Sequence, residues 1–234
     1  VGHAPGCDLR LAGQRFDAAG QEVRLIWKGR AHQLRLSLIG GFQAENVLLA
    51  AGLVIAAGAD PLDVFAALPQ LGTVRGRMEL AATRANGAAV FVDYAHTPDA
   101  VQTALKALRP HVLGRIVAII GAGGDRDRAK RPLMGAAAAD FADSVIVTDD
   151  NPRSEDPATI RAAVMQGAQA CESLTEVADR AEAILRGIDM LQPGDALLIA
   201  GKGHESGQII GDTVMPFDDV EQASVAVAAL EGRI

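Results

Sequence analysis

Four short and almost wholly apolar runs, 88–92, 115–120, 144–148 and 196–200, restrict this chain more than any other feature. Each is too short for a helix of ordinary length. None shows the polar alternation of a half-solvated strand, so the four fit strands buried on both faces of a parallel sheet. Helical periodicity fills the intervals. Thr97-Pro98 opens one helix whose apolar face is Val101, Ala104, Leu105 and Leu108, and others fall near 132–142, 157–170 and 178–188. A hairpin is expected at 207–217, then a last amphipathic helix from Asp218 to about Leu230. Strand and helix alternating from Arg77 onward predict an α/β fold, a doubly wound and mostly parallel sheet.

The first third follows another pattern. Residues 9–16, 22–27 and 33–38 alternate and are joined through Gly20 and Gly29, which predicts a small antiparallel sheet. From Gly41 the period becomes helical (Ala44, Val47, Ala51, Val54, Ile55), with Gly58 as the stop. Asp60-Pro61 starts a second helix. Residues 69–76 have no periodicity, and the boundary is placed there: 1–76 and 77–234.

A formal net charge of −7 argues against nucleic acid or an anionic membrane as the partner. No run reaches the roughly eighteen apolar residues of a membrane span. Cys7 and Cys171 are far apart, with neither metal nor disulfide spacing, which suits a reducing, cytoplasmic compartment. The chain opens at Val1 within a β-rich region, so a longer parent protein is expected.

Each apolar run ends in a polar cluster: Asp93-Tyr94-Ala95-His96-Thr97; Gly121-Ala122-Gly123-Gly124-Asp125-Arg126-Asp127-Arg128; Asp149-Asp150-Asn151-Pro152-Arg153; and Gly201-Lys202-Gly203-His204-Glu205. In an open parallel sheet the carboxyl ends of the strands share one edge, where ligands bind, so the clusters should converge. The glycine loop can bring backbone N–H groups to a phosphate or carboxylate, with Arg126 and Arg128 adding charge. Pro152 restricts Asn151 toward extended geometry, and Arg153 then presents a rigid fork suited to a carboxylate. Glu205 can accept from an ammonium group. This mixture fits a zwitterionic amino acid. His96 and His204 lack partners at metal-ligand spacing. No Gly-x4-Gly-Lys-Ser/Thr loop occurs, and the dinucleotide fingerprint fails because Arg126 occupies its third glycine position, which weighs against a nucleotide-cofactor oxidoreductase.

Taken together, Asp93-Tyr94-Ala95-His96-Thr97-Pro98, Gly123-Gly124-Asp125-Arg126-Asp127 with Lys130-Arg131-Pro132, Asp150-Asn151-Pro152-Arg153 and Gly201-Lys202-Gly203-His204-Glu205 resemble the C-terminal half of a Mur ligase. The resemblance covers the chain from about residue 33 to its end. It is strongest to the branch that adds meso-diaminopimelate to UDP-N-acetylmuramoyl-L-alanyl-D-glutamate (UDP-MurNAc-dipeptide) in peptidoglycan synthesis. In that family the Asp-Asn-Pro-Arg motif marks diaminopimelate-adding enzymes, and lysine-adding relatives carry another residue at the Arg position. The physical logic agrees, because a paired Arg rewards the distal carboxylate that lysine lacks.

The resemblance implies that Arg126, Asp150, Asn151, Arg153, Gly201 and Glu205 contact diaminopimelate. It implies that Arg77 faces the ATP phosphates, that Asp93, Tyr94 and His96 lie near the nucleotide, and that Asn46 contacts adenine. One departure is Phe42-Gln43 where the family usually has Phe-Asn. The implied reaction is amide formation through an acyl phosphate made from ATP with Mg2+. By the same resemblance, residues 1–76 are the C-terminal part of a central ATP-binding domain and 77–234 the Rossmann-like amino-acid-binding domain. The family's phosphate loop, Mg2+ ligands, modified lysine and UDP-binding domain are expected upstream of Val1, and the chain alone is expected to lack ligase activity. Two alternatives stand beside this: a folylpolyglutamate-synthetase-like ligase domain, which shares the superfamily architecture, and a stand-alone amino-acid-binding module.

Overall fold

The computed structural model describes residues 1–233, which divide into two compact units after Thr73. The division falls inside the aperiodic stretch, three residues before the position taken from sequence. The reason is local: Arg75 pairs with Asp218, the Gly76 N–H reaches Glu79 at 2.7 Å, and the Met78 N–H reaches Asp93 at 2.7 Å.

In the first unit β1 (Leu9–Asp17), β2 (Gly20–Trp27) and β3 (Arg30–Leu36) form an antiparallel sheet in that order. β3 starts three residues earlier than the alternation implied, because Trp27 pairs with Arg30 across a two-residue turn, with Lys28 and Gly29 at φ 45° and 83°. Helices α1 (Gly41–Ala56) and α2 (Pro61–Ala67) complete the unit, with Asp60 capping α2 through the Leu62 N–H at 2.8 Å. Ala44, Val47, Leu48 and Ala51 of α1 join the strand residues Leu9, Leu11, Val23, Leu25 and Leu36 in the core. Val54, assigned from its period to the buried face, is instead 50% exposed. Leu48, one of the residues between the chosen positions, is buried instead.

The second unit opens with β4 (Glu79–Thr83), which pairs antiparallel with β5 (Ala89–Asp93). Then follow α3 (Pro98–Leu108), β6 (Ile116–Ile120), α4 (Lys130–Phe141), β7 (Ser144–Val147), α5 (Pro157–Gly167), β8 (Leu174–Glu176), α6 (Arg180–Asp189) and β9 (Ala196–Ala200). The hairpin β10 (Gly207–Ile210) and β11 (Thr213–Pro216) precedes α7 (Asp219–Leu230). The large sheet runs β4-β5-β9-β6-β7-β8, parallel except for β4. The unit is therefore doubly wound α/β. Both edge strands, β4 and β8, escaped the sequence reading, since neither carries the apolar run of a strand covered on two faces.

Alternate residues of the inner strands face opposite helix layers. Val117, Ile119, Leu197 and Ile199 pack with Ala183, Ile184 and Ile188 of α6 and with Ala223, Ala226 and Val227 of α7. On the other side α3 packs against α4, and α4 against α5 and β6. Pairing sets Asp93 beside Ala200 and Ile120 beside Val147, so the polar loops after β5, β9, β6 and β7 emerge at one edge.

Candidate active site

Residues from all four loops line one cavity of about 410 Å³ in the second unit. The lining includes all six residues implied for diaminopimelate (Arg126, Asp150, Asn151, Arg153, Gly201 and Glu205), together with Tyr94 and His96 from the group implied for nucleotide.

The loop after β7 is held more firmly than Pro152 alone could hold it. Arg153 has a left-handed backbone, φ 53°, which a non-glycine residue adopts only at a cost of about 1–2 kcal/mol. Strand β10 stabilises that conformation. The Arg153 N–H donates to the Ile209 carbonyl at 3.0 Å, and the Gly211 N–H donates to the Arg153 carbonyl at 2.7 Å. Gln208 Nε2 adds a bond to the Asp150 carbonyl at 2.8 Å. The hairpin was expected from sequence, but not its role as a splint for this loop.

The glycine loop lies directly against the Asp-Asn-Pro-Arg turn. The Gly124 N–H donates to the Asn151 carbonyl at 2.9 Å, so this amide is committed internally and is not available to an anion as expected. Arg153 Nη1 donates to the Gly124 carbonyl at 2.8 Å. A Cβ on Gly123 would come within 2.7 Å of Arg153 Nη1, and one on Gly124 within 1.8 Å of the Pro152 carbonyl oxygen. Arg126 is exposed; among the described residues its Nη1 is bonded only to the neighbouring Asp125 carbonyl, at 3.1 Å, and its fork is open to a ligand. Arg128 does not line the cavity and pairs with Glu155 at 3.1 Å.

Glu155 is a node that the sequence did not reveal. Buried Arg131 grips it with Nη1 at 3.0 Å and Nη2 at 2.7 Å, and the Asp125 N–H reaches it at 2.6 Å. These bonds hold the Glu155 carboxyl down at about 2. Asp125, itself at φ 54°, accepts from the Ser154 hydroxyl at 2.6 Å, and that bond lowers its pKa too. Arg131 thus staples the glycine loop to the segment following Arg153, although Lys130-Arg131-Pro132 carried no assigned role in the sequence.

Beneath the cavity lie more buried charges. Arg180 and Asp219, both fully buried, form a two-bond pair at 2.8 and 2.7 Å, and Arg180 Nη2 also donates to the Ala200 carbonyl at 3.1 Å. Asp150 is buried beside them. Burial pushes its carboxyl above the ordinary aspartate value, against the opposing pull of Arg180 and Lys202. Arg180 and Asp219 each fall at the start of a helix, next to Asp179 and Asp218, the acidic caps, so in sequence they look like surface charges.

At the other end of the cavity Tyr94 is surrounded by rings and a cation. His96 lies 4.5 Å and His204 5.1 Å from its ring centre, and the Arg77 guanidinium lies 4.9 Å above it. Asp93 is outside the lining and accepts the Met78 N–H, with its pKa raised by burial. Asn46 belongs to the first unit, where its exposed Nδ2 donates to Gln43 Oε1 at 3.4 Å. Among the described residues no group of three or more His, Cys, Asp or Glu side chains is arranged to hold a metal ion. No described helix is long and apolar enough to cross a membrane.

Comparison with known proteins finds relatives over nearly the whole chain. The family described as Mur ligase, glutamate ligase domain, matches residues 76–203. A relative from Caulobacter vibrioides, named UDP-N-acetylmuramoyl-L-alanyl-D-glutamate--2,6-diaminopimelate ligase, is 51% identical over 97% of this chain and 46% of its own length. One of the same name from Zymomonas mobilis is 53% identical over 94% of this chain and 45% of its own. The chain thus spans about half the length of the curated relatives it matches. A solved structure of a ligase with that name superposes with a TM-score of 0.76 at 39% identity, covering 97% of this chain and 47% of that one. A Mycobacterium tuberculosis folylpolyglutamate synthase superposes at 0.66 with 21% identity, a likeness of fold alone. The profile match extends from Gly76, ahead of β4, to Gly203 in the loop after β9, and so takes in every strand of the large sheet: the chain belongs to the Mur ligase family.

Proposed function

We propose that this chain is the amino-acid-binding portion, with part of the ATP-binding domain, of a cytoplasmic ligase that adds meso-diaminopimelate to UDP-MurNAc-L-Ala-D-Glu. One observation carries the reading. A single cavity offers two guanidinium forks, Arg126 and Arg153, together with the acceptors Glu205 and Asp150. A ligand with two carboxylates and two ammonium groups satisfies all four, whereas lysine leaves one fork unpaired. The names of the relatives support the choice of substrate.

In this reading Arg153, fixed by β10, holds the distal carboxylate, and Glu205, held by the Asn151 Nδ2 bond, receives an ammonium group. Arg77, its guanidinium lying over Tyr94, fits the phosphates of ATP, with Tyr94, His96 and Asp93 assigned to the nucleotide. ATP supplies the phosphoryl group that activates the glutamyl carboxylate. The work of this chain is to place the attacking amine and exclude other amino acids. The described residues do not fit a Mg2+ cage, and none is assigned to that ion.

Calorimetric titration of the chain tests the proposal. Meso-diaminopimelate should bind, lysine should bind at least about tenfold more weakly, and Arg153→Ala should erase the difference, as expected for one charged hydrogen-bonded pair. Tighter binding of glutamate than of diaminopimelate would instead support a ligase of the folylpolyglutamate type.

A further inference from the structure

Lys202 is fully buried, an unusual location for an ammonium group, and it does not line the cavity. Its Nζ donates to the Gly207 carbonyl, to Asn151 Oδ1 at 3.2 Å and to Glu205 Oε2 at 3.5 Å. Asn151 Oδ1 also accepts the Ile209 N–H at 2.9 Å. Two donors on one oxygen decide which way the amide faces, and its Nδ2 is left to donate to Glu205 Oε2 at 2.9 Å. Lys202, Asn151 and Glu205 therefore close a ring of hydrogen bonds, in which the ammonium bonds to both partners of the Asn–Glu pair. Among the described residues both protein bonds to the Glu205 carboxylate fall on Oε2, and Oε1 receives none. The Glu205 side chain remains 35% exposed.

We infer that Lys202 is a positioning residue that fixes the Asn151 amide and turns Glu205 Oε1 toward the cavity as an oriented acceptor for a ligand ammonium group. The identity of that ligand rests on the proposed diaminopimelate reading; the ring of hydrogen bonds does not. Without Lys202 the Ile209 N–H still sets the sense of the amide, but among the described residues only the Asn151 Nδ2 bond is left to hold Glu205 from the buried side. The carboxylate, already partly solvated, then turns outward, and its two oxygens no longer have different roles. A buried charge that served stability alone would need only Gly207 and one counter-ion. The bond to the Asn151 amide is what links Lys202 to recognition.

The test has two arms. In the ligand-free chain, NMR follows the Asn151 side-chain amide pair, assigned by its disappearance in Asn151→Asp. Glu205→Gln should shift that pair in the wild-type background and leave it nearly unmoved in Lys202→Met. Should Lys202→Met not fold, Lys202→Gln, which keeps a donor for Gly207, takes its place. In the second arm, calorimetry compares meso-diaminopimelate with pimelate, the same dicarboxylate without amines. Lys202→Met should weaken diaminopimelate by about tenfold or more, the worth of one charge-assisted hydrogen bond, and leave pimelate unchanged. An Asn151 pair equally sensitive to Glu205→Gln in both backgrounds would overturn the inference, as would equal weakening of both ligands. A wild-type chain indifferent to diaminopimelate would count against the proposed function, and the amide resonances would still decide the role of Lys202.

Discussion

Gly123 and Gly124 are adjacent, yet an added methyl group should have opposite kinds of consequence at the two positions. On Gly124 the new Cβ would lie 1.8 Å from the Pro152 carbonyl oxygen and 2.7 Å from its carbon, both backbone atoms. Reaching an ordinary contact distance of about 3.4 Å requires the two loops to separate by roughly 1.5 Å. That displacement breaks the 2.9 Å bond from the Gly124 N–H to Asn151 and the 2.8 Å bond from Arg153 to the Gly124 carbonyl. One neutral and one charged hydrogen bond are together worth about 2–4 kcal/mol, or a fall in Tm of roughly 5–15 °C. On Gly123 the obstacle is Arg153 Nη1 at 2.7 Å, the end of a flexible side chain. The guanidinium retreats by under about 1 Å and the backbone stays in place, so stability should change by less than about 1 kcal/mol. Binding should not be spared, since the displaced fork no longer meets the carboxylate. Gly123→Ala should lose about tenfold or more in diaminopimelate affinity and leave lysine unchanged. Differential scanning calorimetry and titration calorimetry on both variants provide the comparison. If Gly123→Ala melted as low as Gly124→Ala, or Gly124→Ala matched the wild type in Tm and affinity, the close approach of the loops would not be what organises Arg153.

Other consequences can be checked in the same preparations. Because Arg153 is left-handed at φ 53°, Arg153→Gly should be more stable than Arg153→Ala by about 1 kcal/mol in urea melts, although both lose the guanidinium. Arg180→Met leaves Asp219 buried and unpaired, and should cost about 3–5 kcal/mol by the same measurement. Asp150 has its pKa raised by burial, so the folded state holds its proton more tightly than the unfolded state. Asp150→Asn should accordingly stabilise the chain by an amount that is absent below the ordinary aspartate value of 3.8, grows as pH rises past it and levels off above the folded pKa. Glu155 is the reverse case: its contribution is complete above the ordinary glutamate value of 4.5 and fades as pH falls through about 2. The stability gap between wild type and Glu155→Gln should close over that acid range.

Which parts of this architecture could be read from the residues follows from how burial is written in sequence. Strands covered on both faces, such as β6 with Ile116 to Ile120 all buried, announce themselves as apolar runs. The polar residues after them stand out because a chain leaving a buried strand has no packing reason to be charged. Edge strands give no such signal: Glu79–Thr83 is half solvated, and Leu174–Glu176 is three residues long. The six lining residues were recognisable as recurring motifs, but the groups that hold them in place were not. Arg131, Arg180, Lys202 and Asp219 are charges whose burial is created by contacts distant in sequence, such as Arg180 with Asp219 and Lys202 with Asn151. α1 shows a further limit. It is apolar nearly all round, so its period alone could not distinguish buried Leu48 from exposed Val54.

The place of β9 in the sheet also bears on how the protein is made. The strand is formed by residues 196–200, yet it lies between β5 and β6, two strands that end before residue 121. Until those late residues leave the ribosome, the nascent chain carries two apolar edges with unpaired N–H and C=O groups facing a gap one strand wide. Such edges invite pairing with other chains. A truncation just before residue 196 therefore removes the keystone of the sheet and not its margin, and the expected product is aggregate instead of a smaller folded domain. Closure of that gap also delivers Gly201 and Glu205 to the cavity, so completion of the hydrophobic core and of the ligand site should be a single late event in folding.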